Sequence, residues 1–525
     1  MMSDRPTERM QKRLLRTLLF CLLLPMLAQG QFFYGIHQEF GKNRVEFNEF
    51  DWKFYRFEKL DIYFYKSSKD IAERAAYMAH DNLKELEKLL DAPVDDRMHI
   101  IVFNNLSELK QSNLIASDED AYNTGGITHI AGNKMFLYFD GTFSGLEGQV
   151  RSGMAEMIIN NLIYGNFAQS FKNSTLLNFP EWYFEGLVSY LSGPMSPEDE
   201  AFLMDGFVQD RFKRFNVLTG EEARIAGHSI WAYVASTYGR KVIRNILFMA
   251  VVNRNVDEGF EYILGTRLKP ILVGWSKFYS GKFALEGERD PFENMSGERL
   301  FRARKDERIT HLTIDKRGEY AAFVVNRQGR YRLRILDLES GKKKTIARGG
   351  YRIPQNADYS FPVPAWHPRG RILAYLTEEK GFLWLNFYDR EEKKTETKEF
   401  FKFDKVLSME YSPDGKKLLM SAVKNGQSNI YVYTILSTSV EAITNDPYDD
   451  LDPSFLQGGK RIVFRSNRPD DTLRVQGMET TPSYSPYYDV FIANRSGKNQ
   501  DWLWRITGTP ENDENQINSY NIASL

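Results

Sequence analysis

Tyr411–Ser421 reads YSPDGKKLLMS, and three other stretches repeat its plan: IDKRGEYAAFV at 314–324, WHPRGRILAYL at 366–376 and FLQGGKRIVFR at 455–465. In each, an apolar or aromatic strand end meets a polar turn closed by glycine, and a second strand leaves the turn. The glycines are Gly318, Gly370, Gly415 and Gly459, at steps of 52, 45 and 44 residues. A further apolar run follows, as in YRLRILDL at 331–338 and NIYVYTIL at 429–436. A period of roughly 40 to 50 residues carrying four strands is the signature of propeller blades. Residues 301–525 are therefore expected to form an all-β propeller with about four blades present. TGTPENDENQINSY at 507–520 is similar to the stretch ITNDPYDDLDPSF (443–455) that leads into the fourth blade, so the ring is expected to be incomplete and the chain a fragment, the alternatives being a small ring or an open one completed by a partner.

Before residue 281 the periodicity is different. FYRFEKLDIYFY (54–65) is rich in aromatic and β-branched residues and predicts one or two strands. From Lys69 to Leu90, Ile71, Ala75, Met78, Leu83, Leu86 and Leu90 recur at three- and four-residue steps and predict a helix ended by Pro93. Met98–Phe103 and Lys134–Phe139 read as buried strands. Helices are predicted from Val150 to Tyr164, from Pro180 to about Leu191, from His228 to Tyr238, and over Val242–Val252 and Val256–Leu264. The segment ending in WSKFY (275–279) closes this α+β unit, which spans 51–280. Polar residues from Gly281 to Gly297 predict a linker over 281–300.

The first thirty residues have the plan of a signal peptide. Arg5, Arg9, Lys12, Arg13 and Arg16 precede an apolar run from Thr17 to Leu27, and Ala28-Gln29-Gly30 offers small residues for cleavage. That run is too short to span a bilayer, which needs about 20 residues. Residues 31–50 read as an extended arm. The only cysteine, Cys21, lies inside the leader, so the exported chain would carry no disulfide, a combination suited to a bacterial envelope. A net charge of −1 argues against a nucleic-acid partner, which requires a basic face.

Two neighbouring helices carry the chemistry question. QVRSGMAEMIINNLIYGN (149–166) is followed by NFPEWYFEGLVSYLSG (178–193). A zinc peptidase helix needs H-E-x-x-H, with two imidazoles one turn apart on the metal, a glutamate activating water, and a glutamate from the next helix as third ligand. The matching residues here are Ala155, Glu156, Met157, Ile158 and Ile159. Glu156 stands at the base position and Glu185 at the downstream position, but neither alkyl side chain at 155 or 159 can donate a lone pair. No metal and no cofactor is expected, and Glu156 and Glu185 are read as vestigial.

Residues 51–280 resemble the gluzincin metallopeptidases, in particular the peptidase MA-like domains. The resemblance rests on the Lys134–Phe139 strand, the Val150–Tyr164 helix, the P-x-W-x-x-E-G stretch from Pro180 to Gly186, and AGHSIWAYVASTYG at 226–239. The second half resembles the WD40-like propellers of TolB and of the dipeptidyl-peptidase IV N-terminal domain, most clearly at Ser412–Leu418. A leader, a degenerate peptidase unit and such a propeller together resemble TolB-like envelope proteins of Bacteroidota. That resemblance implies a non-catalytic binding or scaffold protein, exported to the periplasm or outer membrane. It would hold protein partners, as in outer-membrane assembly or type IX secretion machinery, and would meet the membrane only through them.

Other residues define the alternatives. A metallopeptidase with relocated ligands would recruit His129, in a Gly-rich loop, or His228, at a helix start, beside Glu156 and Glu185. Asp446, Asp449, Asp450 and Asp452 crowd one loop but miss the D-x-[DN]-x-[DN]-G calcium spacing, and a solvated loop is expected. No G-x-S-x-G elbow precedes a helix, so serine chemistry has no anchor. The insertion Asp470–Tyr488 interrupts the fourth blade, and loops on a rigid scaffold are common binding sites. Partner contact is therefore expected at Tyr484, Tyr487 and Tyr488, and at Trp182 and Tyr183 beside the former cleft. A surface-adhesion propeller binding glycans is a third reading.

Overall fold

The apolar runs at 60–64, 98–103 and 134–138 become the three central strands of a mixed sheet in the computed structural model. The structure describes residues 49–65, 68–111, 129–131, 133–164, 179–287, 303–304, 307–350, 358–469, 487–494 and 503–508. The leader and nearly all of the arm thus lie outside the described residues. Strands β1 (Lys53–Arg56), β2 (Leu60–Phe64), β3 (Met98–Phe103), β4 (His129–Ala131) and β5 (Lys134–Tyr138) lie in the order β1-β2-β3-β5-β4. The inner pairs are parallel and the edge pairs antiparallel. Ile62 faces Ile100, and Ile100 faces Met135, all fully buried. Parallel strands covered on both faces need such apolar runs.

Side-chain alternation divides the sheet's two faces. On one, α1 (Lys69–Leu90) and α3 (Phe143–Tyr164) share a core with Leu60, Ile62, Ile100 and Val102. On the other, Tyr65, Phe103 and Phe136 pack against Leu106 and Leu109 of α2 (Leu106–Gln111), a short helix not anticipated from the sequence. Helix α3 buries most of its circumference: Val150, Met154, Ala155, Met157, Ile158 and Ile159 all sit in the core, while Glu147, Arg151, Glu156 and Asn160 are partly buried.

Among the described residues six α-helices follow: α4 (Glu181–Ser192), α5 (Pro197–Val208), α6 (Gly220–Tyr238), α7 (Val242–Asn253), α8 (Val256–Leu264) and α9 (Leu268–Gly287). Three boundaries differ from expectation, and α5 was not anticipated from the sequence; α3 begins at Phe143, seven residues before Val150. Helix α6 starts eight residues before His228, because Ala223 and Ile225 extend its buried face. Helix α9 runs on past Tyr279, since Phe283 continues the same buried stripe, so the expected linker does not begin at 281. Residues 288–300 lie outside the described residues. Among the described residues no helix is long and apolar enough to cross a membrane.

Among the described residues of the second half there are four four-stranded antiparallel sheets. Blade I comprises β6 (Arg308–Ile314), β7 (Tyr320–Arg327), β8 (Arg330–Asp337) and β9 (Lys343–Gly349). Blade II comprises β10 (Val363–Trp366), β11 (Ile372–Glu379), β12 (Phe382–Asp389) and β13 (Lys394–Glu399). Blade III has β14 (Lys405–Tyr411), β15 (Lys417–Lys424), β16 (Gln427–Thr434) and β17 (Val440–Ala442). Blade IV has β18 (Asp450–Leu456), β19 (Arg461–Ser466), β20 (Asp489–Asn494) and β21 (Leu503–Arg505).

The repeated turns explain the repeated glycines. Gly318, Gly370 and Gly415 have φ of 69°, 72° and 73°, which L side chains rarely adopt. Each donates its N–H to the carbonyl three residues back, on Asp315, His367 and Ser412, at 3.0, 2.8 and 2.9 Å. The side chain at that position also accepts from the returning backbone, as Asp315 does from Glu319 and Tyr320 at 2.8 and 2.7 Å. The fourth turn departs from this plan, with Gln457–Gly459 forming a short 3₁₀ turn.

Candidate functional site

Helices α3, α4 and α6 meet where the sequence placed Glu156 and Glu185. Close backbone contact dictates the geometry of the α4–α6 crossing. A Cβ on Gly186 would lie 2.2 Å from the carbonyl carbon of Gly227, and one on Gly227 would lie 2.1 Å from the carbonyl oxygen of Trp182. The glycines of the two resemblance motifs are thus explained by a crossing at which only glycine fits. Trp231 spans the joint, its indole N–H donating to the Tyr183 carbonyl at 3.0 Å.

Ala155 and Ile159, at the positions that would bear imidazoles, are fully buried among apolar side chains. Glu185 is buried, and its carboxyl is pushed up to about 9. Desolvation is the main cause, followed by a hydrogen bond and charge from Glu181 and the charge of Glu156, with Arg224 opposing. With no cation beside it, Glu185 therefore keeps its proton near neutral pH. Arg224 is held elsewhere, donating both terminal nitrogens to Asp199 at 2.9 and 2.7 Å.

The relocated-ligand arrangement is not assembled. His228 does not begin a helix; it is buried in the middle of α6, with Nδ1 3.0 Å from Ser189 Oγ. Burial pushes its imidazole down to about 4, so it stays neutral. His129 lies on the edge strand β4 rather than in a loop. Among the described residues no group of three or more His, Cys, Asp or Glu side chains is placed to hold a metal ion.

Trp182 and Tyr183, expected at a binding surface, are both 0% exposed and belong to the core. Large aromatic rings on a helix between two layers are taken by packing, and neither is open to a partner. Tyr484 and residues 470–486 lie outside the described residues. Tyr487 is partly buried. Tyr488 is 6% exposed and turned inward, its hydroxyl 2.7 Å from Ser144 Oγ and donating to Asp449 at 3.0 Å.

That contact belongs to a seam between the halves that the sequence reading missed. The Asp449 carboxylate accepts from the backbone N–H of Phe143 at 2.9 Å and of Ser144 at 3.3 Å, the first turn of α3. An anion there satisfies orphan amides and complements the helix dipole. Asn467 and Ser428 also contact this carboxylate, at 3.2 and 3.3 Å. Burial nonetheless pushes Asp449 up to about 6, and the bonds from Phe143, Tyr488 and Ser144 oppose the rise. Beside it, the Arg74 guanidinium stacks 3.8 Å from the Phe143 ring and donates to Pro447 O at 3.0 Å and Gln427 Oε1 at 3.1 Å. Lys405 donates to the Asp140 carbonyl at 2.9 Å, and Val423 joins the core of the first half.

The acidic loop is not solvated, contrary to expectation. Asp446, Asp449 and Asp450 are buried, and fully buried Arg468 pairs with Asp450 at 2.6 Å and Asp446 at 3.0 Å. Arg468 also stands over the rings of Phe464, Phe491 and Tyr448. Asp452 pairs with Arg465 at 2.6 Å. The available signal was the Ser466-Asn467-Arg468 run at the end of a buried strand: an arginine there needs carboxylates, and the preceding loop supplies them.

Architecture and seam define the class: an α+β unit of sheet and helices joined to a four-bladed β-propeller. Residues 315–472 match the TolB beta propeller domain family, so the second half carries a TolB-like propeller. The Tol-Pal system protein TolB of Ruthia magnifica subsp. Calyptogena magnifica is 28% identical over 153 residues, 27% of this chain and 33% of that protein. The chain thus spans about a third of that relative's length. Among solved structures, TolB from Acinetobacter baumannii aligns with a TM-score of 0.30 and 17% identity, over 39% of this chain and 44% of that one. The β-propeller domain of the Trilobed protease from Pyrococcus furiosus aligns with a TM-score of 0.26 and 18% identity, over 39% and 58%.

Proposed function

We propose that this chain is a non-catalytic binding or scaffold protein of the bacterial cell envelope, exported to the periplasm or the outer membrane. Its first half is a peptidase-like unit, related in plan to the gluzincins, that has lost metal chemistry and serves as a rigid platform. The propeller is the docking element for protein partners. One observation carries the reading: the positions that would bear zinc ligands hold Ala155 and Ile159, both sealed in apolar core. Hydrolysis at Glu156 would need a bound metal to acidify water, and alkyl groups cannot retain one.

The match of 315–472 to a TolB propeller supports an envelope, protein-binding role. The finer reading, an accessory subunit of outer-membrane assembly or type IX secretion machinery, rests on the resemblance of domain order. Cross-linking in intact cells, then capture of the full chain from solubilised envelopes, tests it. The expected result is a membrane-fraction protein recovered in fixed ratio, and recovery of the chain alone contradicts the proposal.

A further inference from the structure

An open cleft of about 770 Å³ lies between the 3₁₀ segment Arg211–Val217 and the start of α9, away from Glu156 and Glu185. Its floor is formed by the edges of aromatic rings that belong to the core, with Phe212, Phe215 and Trp275 8%, 4% and 3% exposed. Phe207 and Trp275 have ring centroids 4.8 Å apart, Phe207 and Phe212 5.4 Å, and Phe215 and Trp275 5.1 Å. Its mouth carries two exposed aliphatic side chains, Val217 at 69% and Val273 at 51%. Apolar side chains left open around a concave aromatic floor mark a ligand site more often than a bare surface.

The rim is net positive, with four cations against the carboxylates of Asp210 and Asp257. Lys213, Arg214, Lys269 and Lys277 all line the cleft. Lys213 is paired with Asp210 at 2.7 Å, and Asp257 accepts from the Leu268 amide at 3.1 Å. The two lining carboxylates are therefore engaged. Arg214, Lys269 and Lys277 have no ion-pair partner among the described residues. A net positive rim above an apolar floor complements a molecule with an anionic head and an apolar body.

We propose that this cleft binds a long-chain carboxylate, with its head against Arg214, Lys269 and Lys277 and its tail over Phe212, Phe215 and Trp275. Seating the tail would cover Val217 and Val273. This reading is independent of the propeller and of the vestigial peptidase helices.

Calorimetric titration of the full chain with dodecanoate, below its micelle concentration, tests it. Saturable binding at one molecule per chain is expected. Shortening the probe to octanoate should weaken binding roughly tenfold or more, because less apolar surface is covered. The Arg214→Glu/Lys269→Glu variant should weaken dodecanoate by at least about tenfold, reversing the attraction at the rim. Val273→Asp, at an exposed position, should do the same with an unchanged melting temperature. The proposal is overturned if dodecanoate fails to saturate, if dodecyl maltoside binds as tightly, or if both variants bind like the parent.

Discussion

Gly227 and Glu185 lie within one helix crossing and test it in different ways. Gly227→Ala places a methyl group against the Trp182 carbonyl, where nothing can yield without moving α4. A loss of about 1–3 kcal/mol is expected in denaturant unfolding, the range for overpacking a tight core. Glu185 tests electrostatics. Its folded carboxyl is raised to about 9, so the folded chain keeps a proton that the unfolded chain gives up near its ordinary 4.5. Its contribution to stability is therefore full below that value and is lost as pH rises toward 9. His228, lowered to about 4, acts in the opposite sense: its contribution is lost as pH falls from 6.5 toward 4. Glu185→Gln should flatten the decline above pH 7 while leaving the acid limb in place, as read from unfolding midpoints across pH. An unchanged alkaline slope would show that Glu185 is ionised in the folded chain.

The seam is held by Asp449 at the first turn of α3 and by Arg468 beneath the loop that presents it. Asp449→Ala should cost about 1–2 kcal/mol, as loss of a helix cap does, and should speed amide exchange at Phe143 and Ser144 before the rest of α3. Arg468→Met should cost more, about 3–5 kcal/mol, because two carboxylates stay buried without their cation. Equal amide protection in parent and Asp449→Ala would remove the cap from the account. Elements such as α1 and the blade turns were legible because their patterns are local: Ile71 to Leu90 keeps one stripe, and Gly318, Gly370 and Gly415 repeat one φ requirement. The start of α6 was not legible, since Gly220–Arg224 is polar in sequence and only packing shows Ala223 inside. Trp182 and Tyr183 failed as surface candidates for the same reason: an aromatic pair at a helix start reads alike whether it faces solvent or a second layer. Asp446–Asp450 was misread because its partners, Arg468 and the amides of α3, are distant in sequence.

At the scale of the whole molecule, the halves share a seam and a core. Phe143, Arg74 and Asp140 on one side meet Asp449, Pro447, Gln427 and Lys405 on the other, and Val423 packs into the first half's core. Scanning calorimetry of the full chain is therefore expected to give one cooperative transition that Asp449→Ala splits or broadens. Two separate transitions in the parent would mean the seam is too weak to couple the halves. Under the proposed function, the first half joined to the propeller positions partners and the α3–α4 helix pair contributes shape rather than chemistry. The decisive measurement is the metal content of the purified full chain after equilibration with zinc. Zinc far below one ion per chain is expected, with Glu156→Ala and Glu185→Ala no different from the parent. One tightly held zinc per chain, lost in either variant, would contradict it.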